Sequence, residues 1–312
     1  MMIISASRRT DIPSYYSEWL YNRIREGYVY VRNPMNTHQI SNISLLPDVV
    51  DGIVFWTKNP TPMIDRLGEL DKYVYYFQFT LNAYGKDVEP YIPSKKQIII
   101  PTFQELSKMI GKEKVVWRYD PIFINAKYTI EYHVKYFKML AERLSGYTEK
   151  CTISFIDLYK KTQRNTVPLH IQSPTDEQIK ALMSEFREIA SKNSFLLDTC
   201  SEKIDLKQYG ITHAHCIERE RLEKLGKYTL KIEKDKNQRQ ECGCVESIDI
   251  GSYNTCRNGC LYCYANFSQK TVYENCRLHD STSPLLFGTV GSDDIIKHRN
   301  VHSCRDCQMK LF

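Results

Sequence analysis

Over the first two-thirds of the chain, short runs of apolar, β-branched and aromatic residues alternate with longer segments of mixed polarity. The short runs predict strands, and the segments with an apolar residue every three or four positions predict helices. The predicted strands are residues 3–6, 29–31, 52–56, 74–79, 115–117, 152–155, 195–197 and 211–214. The clearest predicted helices are 14–26, 102–110, 129–144 and 175–191, the last with a capping box from Thr175 to Gln178.

Eight strands that alternate with helices over about 215 residues have the length and rhythm of an α/β fold of the TIM type, a (β/α) barrel. A doubly wound open sheet has the same local rhythm and is the alternative. We therefore predict a barrel domain over 1–216, a charged helix and connector over 217–240, and a cysteine-rich module over 241–312. This module has few apolar anchors, so we expect a metal centre, or the strand-end face of the barrel, to order it.

Charged side chains directly follow several predicted strands. The carboxyl ends of parallel strands form the active-site face of such folds, so we expect these groups to share one rim. For any single group the alternative is a structural ion pair, such as Arg118 with Asp120. The basic candidates on this rim are Arg8, Arg9, Arg32, Lys58 and Arg118.

Composition narrows the class of protein. The 43 Lys and Arg residues exceed the 37 Asp and Glu residues by six, an excess that only weakly favours an anionic partner such as nucleic acid. No apolar run approaches the roughly 20 residues that span a bilayer, and the first residues become charged too early for a signal peptide. We therefore expect a cytoplasmic protein that makes no membrane contact. Its eleven cysteines, nine of them after position 215, favour metal ligation or reactive thiols over disulfides.

Three cysteines carry the most specific signal in the chain. Cys256, Cys260 and Cys263 form a C-x3-C-x2-C run, with Tyr262 just before the last thiol. Ordinary electron-transfer clusters are held by four cysteines, whereas three thiolates would leave the fourth iron of a 4Fe–4S cluster open to another ligand. The run therefore predicts chemistry at an open iron.

Zinc is the alternative metal for this run. Cys260 and Cys263 could form one zinc knuckle, with Cys304 and Cys307 as the other. That arrangement leaves Cys256 without a role, and an aromatic residue inside the two-residue spacer is typical of iron–sulfur loops. The sequence favours the cluster.

A second set of thiols surrounds Cys242 and Cys244, which need partners from elsewhere in the fold. Cys200 and Cys216 fall at predicted strand ends, on the face where the module would dock. The four together predict an all-thiolate site for a second, fully ligated 4Fe–4S cluster or for zinc. Cys304 and Cys307 are rival partners, and the alternative for Cys200 and Cys216 is that both are buried free thiols. We expect Cys151 in the core, and Cys276 has no predicted role.

The run from Cys256 to Cys263 resembles the cluster motif of the radical S-adenosylmethionine (radical SAM) superfamily. The chain as a whole resembles the domain-of-unknown-function family 1848, which has no settled activity. The stretches that carry this second resemblance are SRRTD at 7–11, FWTKNP at 55–60, WRYDP at 117–121, NQR at 237–239 with CGC at 242–244, and DIG at 249–251.

The superfamily resemblance implies a mechanism. An open iron chelates S-adenosylmethionine, one electron cleaves a carbon–sulfur bond, and the 5′-deoxyadenosyl radical abstracts a hydrogen atom from the substrate. It also implies Cys256, Cys260 and Cys263 as ligands, an electron donor such as ferredoxin or flavodoxin, and the basic rim residues as binders of anionic groups. In most of the superfamily the motif follows the first strand. Here it follows every predicted strand, so the chain must return the cluster to the rim.

We therefore expect a radical-SAM-like iron–sulfur enzyme of unknown substrate, and the basic rim favours a phosphorylated or nucleotide-like one. The alternative function is a non-catalytic zinc or iron–sulfur module that binds nucleic acid or a partner protein. The position of the three thiols discriminates between them. An enzyme requires them together over the strand-end face, without a fourth protein ligand.

Overall fold

The computed structural model describes residues 2–157, 160–172, 174–200, 202, 204, 206–239 and 241–306. Eleven strands lie in this part of the chain. They are β1 (Ile3–Ala6), β2 (Tyr28–Asn33), β3 (Asn36–Ser44), β4 (Gly52–Thr57), β5 (Tyr75–Thr80), β6 (Val115–Ile122), β7 (Lys150–Phe155), β8 (Leu196–Thr199), β9 (Thr212–His213), β10 (Ile248–Asp249) and β11 (Ile295–His298).

Eight of these strands form one parallel sheet in the order β10-β1-β4-β5-β6-β7-β8-β9. The inner strands β4, β5 and β6 are rich in apolar residues and largely buried because both faces of the sheet are covered. In β4, Ile53 and Phe55 pack into the larger core on the helical side, while Val54 between them packs into a smaller core on the opposite face.

Helices cover the first face of the sheet, and the longer ones begin at polar caps. Thr129 caps α5, and Thr175 and Gln178 form the predicted capping box of α7. The helices are α1 (Ile12–Tyr15), α2 (Ser17–Glu26), α3 (Thr61–Ile64), α4 (Ile100–Ile110), α5 (Ile130–Leu144), α6 (Lys160–Thr166), α7 (Asp176–Lys192), α8 (Arg219–Gly226) and α9 (Gln269–Arg277).

The segment from Cys216 to Val245, which includes α8, covers the other face. Leu222 of α8 and Ile217 before it pack against Val54 and other strand residues in the smaller core. Tyr76 on β5 donates to the Cys216 carbonyl at 2.6 Å and accepts from the Glu218 amide at 3.0 Å. The predicted amphipathic helix in this charged segment is therefore confirmed as α8.

A separate three-stranded sheet, in the order β11-β3-β2, packs Val29 and Ile43 into the larger core. β2 and β3 form an antiparallel hairpin, and β11 pairs in parallel with β3. The segment of predicted strand 29–31 therefore does not belong to the central sheet. The eighth place in that sheet is taken by β10, which pairs with β1 on the side away from β4.

The predicted closed barrel is wrong, while the α/β class and the parallel strands are confirmed. In the described part of the chain the sheet is open, with the two-residue strands β9 and β10 at its edges. Strands this short offer few backbone groups for pairing, so the two edges share no ladder. Among the described helices, none is long and apolar enough to cross a membrane.

Candidate functional site

The loop that carries Cys256, Cys260 and Cys263 lies over the carboxyl ends of β1, β4 and β5. The three thiols line a single cavity of about 170 Å³, together with residues that follow those strands. Cys256 and Cys260 are each only 8% exposed. The structure thus brings the three predicted ligands to one concave site on the strand-end face.

Asp11 fixes this loop to the ends of two strands. Its Oδ2 accepts from the side-chain amide of Asn258 in the loop at 3.0 Å and from the backbone amide of Lys58 after β4 at 2.8 Å. Its Oδ1 accepts from the amide of Ser14 at 3.0 Å and so caps α1. Tyr15 adds a hydrogen bond of 2.7 Å to the Asn258 side-chain oxygen. One buried carboxylate therefore sets the relative positions of three segments.

Gly259 is required by the shape of the loop. Its φ of +67° lies in the left-handed region, and an added Cβ would stand 2.5 Å from Cδ2 of Tyr91. The adjacent Leu261 amide donates to the Val88 carbonyl at 3.0 Å. The loop is thereby pressed against the segment that follows β5.

Asp249 of β10 holds the start of the same loop to the end of β1. Its carboxylate accepts from the Ser5 hydroxyl at 2.7 Å, from the Arg8 amide at 2.8 Å and from the Gly251 amide at 3.0 Å, and also from the Ser7 hydroxyl. The short strand β10 therefore positions the cofactor-binding candidates through its side chain as well as its backbone.

Lys58 lines the cavity, but its charge is already balanced. Its ammonium group lies 2.7 Å from Glu89, which is 2.5 Å from Lys95 and also accepts a hydrogen bond from Tyr262. Burial alone would raise the pKa of Glu89, but Lys58 and Lys95 lower it to about 2. Burial alone would lower the pKa of Lys58, and the Glu89 carboxylate more than offsets this and raises it. The pair therefore stays ionised as a fixed wall of the cavity.

Arg8 and Arg9 are the two cavity residues with uncommitted charge. In the described part of the chain, neither guanidinium lies within ion-pair distance of a carboxylate. The Arg8 guanidinium lies 5.7 Å from the centre of the Trp56 ring, and that of Arg9 lies 5.2 Å from the centre of the Tyr253 ring. Both cations are thus oriented by aromatic faces and left able to bind an anion.

Two buried polar atoms of the cavity have no hydrogen-bond partner among the described residues. They are Oγ1 of Thr10 and Oδ1 of Asn266, whose side-chain nitrogen is held by the Cys256 carbonyl at 2.7 Å. A buried unsatisfied polar atom costs about 1–3 kcal/mol, so these atoms fit a polar ligand in the cavity. Burial also raises the pKa of the Cys260 thiol to about 12. The metal-free thiol is therefore protonated, and metal binding would displace its proton.

The thiols of the cavity all come from one loop. Within the described residues, the cavity has no cysteine besides Cys256, Cys260 and Cys263. Among the described residues, no three His, Cys, Asp or Glu side chains stand at the positions that the ligands of one metal ion would occupy. The thiols are thus gathered at one cavity without being closed around a single ion.

A sequence model of the family described as Domain of unknown function (DUF1848) matches residues 3–265. The chain belongs to this family. The match includes the central sheet and the three cavity cysteines of this DUF1848 protein. No curated protein matches the chain.

The second predicted set of thiols also comes together in the DUF1848 fold. The sulfur atoms of Cys200 and Cys216 lie 2.9 Å apart. Cys244 is hydrogen-bonded to Cys216 and to Cys242, and its sulfur accepts from the Ile217 amide at 3.4 Å. The hydrogen bond from Cys244 lowers the pKa of Cys242 to about 6. These four thiols lie apart from the cavity.

Two of the predicted basic residues lie outside the cavity. Arg118 is buried beside the second set of thiols, where it pairs with Asp120 and donates to the Cys216 sulfur at 2.9 Å. Arg32 lies on the three-stranded sheet, where it pairs with Asp294 at 2.6 Å. Arg32 was predicted on the rim because it follows the predicted strand 29–31. That strand is β2, which does not belong to the central sheet.

The other cysteines lie away from the cavity. Cys304 is at the opposite end of β4, where its amide donates to Asp51 at 2.7 Å, so it does not complete the cavity set. Cys276 lies behind the loop, where its sulfur and the Tyr16 hydroxyl form a hydrogen bond of 3.3 Å. Cys151 is fully buried in the larger core, as predicted. Cys307 lies outside the described residues.

Sequence reasoning missed several residues that shape the site. Glu89 follows no strand directly, and no motif distinguishes it from other loop acids. Thr10 and Asn266 are ordinary polar residues until the fold buries them. Asp249 was part of the family resemblance, but a strand of two residues is too short to produce a hydrophobic pattern.

Proposed function

We propose that this DUF1848 protein is a radical-SAM-like iron–sulfur enzyme. Cys256, Cys260 and Cys263 would hold three irons of a 4Fe–4S cluster, and S-adenosylmethionine would occupy the rest of the cavity. The observation that carries the proposal is the meeting of three thiols, two of them buried, and two guanidinium groups without an ion pair, Arg8 and Arg9, in one cavity. A nucleic-acid-binding module would instead present its basic residues on a convex surface patch. Arg8 and Arg9 line a cavity.

The bound cluster and S-adenosylmethionine would supply the electron and the radical chemistry. The chain's own residues bind and orient. Arg8 and Arg9 are placed to form charge-assisted hydrogen bonds with a carboxylate or a phosphate, which also favours a phosphorylated or nucleotide-like substrate. The Asn266 side-chain oxygen can accept from an ammonium group, and Thr10 can donate or accept.

The ion pair of Lys58 and Glu89 supports the cavity and does not bind the ligand. Because both charges are satisfied within the protein, they hold Tyr262 and the cysteine loop in place without competing for the ligand. The aromatic rings of Trp56 and Tyr264 in the cavity wall limit the access of water. An electron donor such as ferredoxin or flavodoxin completes the proposal.

The test is anaerobic purification with quantification of iron and sulfide, followed by reduction in the presence of S-adenosylmethionine. We expect iron-containing protein that releases 5′-deoxyadenosine. Cys260→Ala should abolish this release, while Cys276→Ala, which removes a nearby thiol outside the cavity, should retain it. Anaerobic protein that contains zinc and no iron contradicts the proposal. Iron-loaded protein that never forms 5′-deoxyadenosine would instead favour a non-catalytic module.

A further inference from the structure

The second set of thiols joins segments from the two edges of the central sheet. Cys200 follows β8 and Cys216 follows β9, at one edge. Cys242 and Cys244 precede β10, at the other edge. Between these segments the backbone offers a hydrogen bond of 3.2 Å from the Val245 amide to the Ile217 carbonyl. The thiols therefore meet between segments that flank the two edge strands.

The four sulfur atoms form a continuous chain of contacts. Cys200 touches Cys216 at 2.9 Å, Cys216 is hydrogen-bonded to Cys244, and Cys244 to Cys242. Cys216, Cys242 and Cys244 are buried in the smaller core, against apolar side chains such as Val54 and Val116.

A buried cation lies beside the thiols. Arg118 is 5% exposed, and its guanidinium, which also pairs with Asp120, donates to the Cys216 sulfur at 2.9 Å. A divalent ion with four thiolates has a net charge of two minus four, or −2, which this guanidinium offsets in part. The surroundings are therefore suited to an anionic tetrathiolate.

We propose that Cys200, Cys216, Cys242 and Cys244 bind one structural zinc ion. Four cysteines and no open position define the closed, tetrahedral type of zinc site. Without metal, the four sulfurs do not stand at the positions of ligands on one ion. Zinc–sulfur bonds of about 2.3 Å place neighbouring sulfurs about 3.8 Å apart, so zinc binding requires Cys200 and Cys216 to separate by about 1 Å. A cubic iron–sulfur cluster would need far more space between thiols that are in direct contact. Binding releases the protons of those cysteines that are still thiols and leaves no redox change.

The zinc ion would act as a staple between the segments that flank β9 and β10. Residues 242–244 lead directly into β10, whose Asp249 holds the end of β1 and the start of the cysteine loop. The staple would therefore support the cavity from a distance without touching it. This assignment does not depend on the proposed radical chemistry, because none of its four cysteines lines the cavity.

Metal analysis of four purified proteins tests the assignment. Cells are grown with added zinc, and metals are measured in the wild-type protein, in Cys256→Ala/Cys260→Ala/Cys263→Ala, and in Cys242→Ser/Cys244→Ser. We expect about one zinc per chain in the first two proteins, and a loss of tenfold or more in the third. Cys304→Ser serves as the matched control and should retain zinc.

Spectroscopy of the wild-type protein keeps the test valid if the double variant fails to fold. X-ray absorption at the zinc edge should show four sulfur neighbours at about 2.3 Å. Cobalt-substituted protein should show the visible bands of a tetrahedral tetrathiolate. Iron and sulfide retained by the triple alanine variant would overturn the assignment in favour of a second cluster. Zinc-free protein with a Cys200–Cys216 disulfide, detected by mass spectrometry, would overturn it as well.

Discussion

The side chains of Asp11 and Asn258 are hydrogen-bonded at 3.0 Å, although 247 positions separate them in the chain. This contact attaches the cysteine loop to the end of β1. The same carboxylate oxygen accepts a second hydrogen bond, from the Lys58 amide at 2.8 Å. Because two N–H groups point at this oxygen, an N–H group in its place would face two other donors.

Replacement of Asp11 by asparagine tests this bridge. In one orientation the new amide group turns an N–H toward the Lys58 and Asn258 donors, and in the other toward the Ser14 amide. We expect Asp11→Asn to lower the free energy of unfolding by about 1–3 kcal/mol and to reduce iron incorporation. Denaturant unfolding and iron analysis measure the two effects. Asp48→Asn, an exposed control, should change neither.

The buried ion pairs of Glu89 predict a large loss of stability. Glu89→Gln leaves Lys58 and Lys95 buried without a carboxylate, which should cost about 3–5 kcal/mol. Removal of the exposed Lys127–Asp87 pair two residues away, by Lys127→Ala, should cost about 1 kcal/mol or less. Chemical denaturation compares the variants. Equal losses for the two would show that the Lys58–Glu89–Lys95 group is not held in a dry environment.

Two glycines with similar backbone conformations allow the effect of backbone strain to be measured separately from the effect of a steric collision. Gly259 and Gly288 have φ values of +67° and +73°, but only at Gly259 would a Cβ collide with a neighbour, Tyr91. Both alanine variants should lose about 1 kcal/mol from the backbone. Gly259→Ala should lose at least as much again and bind less iron, measured as iron per chain. Similar iron contents in both variants would contradict the tight contact between the cysteine loop and Tyr91.

His133 predicts a specific pH dependence of stability. It is fully buried, its Nδ1 lies 2.9 Å from the Tyr119 hydroxyl, and its Nε2 lies 2.9 Å from the Phe123 carbonyl. Burial lowers its pKa to about 4, against an unfolded value of about 6.5. The unfolded chain therefore binds the extra proton between these values, and stability is present above pH 6.5 and lost as the pH falls toward 4.

The variant His133→Gln removes this titration. The difference in unfolding free energy between wild type and variant should be largest at pH 7 and shrink by up to about 3 kcal/mol by pH 4. Urea unfolding at a series of pH values measures it. A difference that stays constant over this range would show that the imidazole binds its proton equally in the folded and unfolded states.

On the proposed function, Arg9 contributes to the affinity for S-adenosylmethionine. Its guanidinium has no carboxylate partner in the described part of the chain, so Arg9→Gln should leave stability unchanged. Loss of one charge-assisted contact should weaken binding about tenfold. Calorimetric titration of anaerobic, iron-loaded protein measures it, with Arg32→Gln as the control outside the cavity. Unchanged affinity would remove Arg9 from the binding site.

The sequence predicted most of the central sheet because its strands are hydrophobic on both faces. β1 and β4 to β9 all lie at predicted positions. β3 was missed because its sequence, NTHQISNIS, is largely polar, as expected for a strand with exposed positions. Without β3 its hairpin partner β2 was assigned to the wrong sheet. β10 was missed because two residues carry no periodicity. The number of predicted strands still matched an eight-stranded barrel because β2 was counted in the place of β10.

Part of the site could be predicted for the same reason. Polar residues directly after buried strands are forced to the rim, which located Arg8, Arg9 and Lys58. No local pattern indicates that Lys58 would meet Glu89, because that pairing depends on how a loop folds back. The uncommitted state of Arg8 and Arg9 likewise depends on which acids the fold brings near them.

The position of β10 has a consequence for biosynthesis. β1 leaves the ribosome long before β10, so its outer edge is unpaired until Ile248 and Asp249 arrive; Ser5 and Asp249 are separated by 244 positions. The cysteine loop emerges later still. Because chains fold from the amino end as they are made, this loop can reach the rim only after all the strands of the central sheet have been synthesised. The last pieces of the sheet and the ligand-bearing loop are then assembled as one late event.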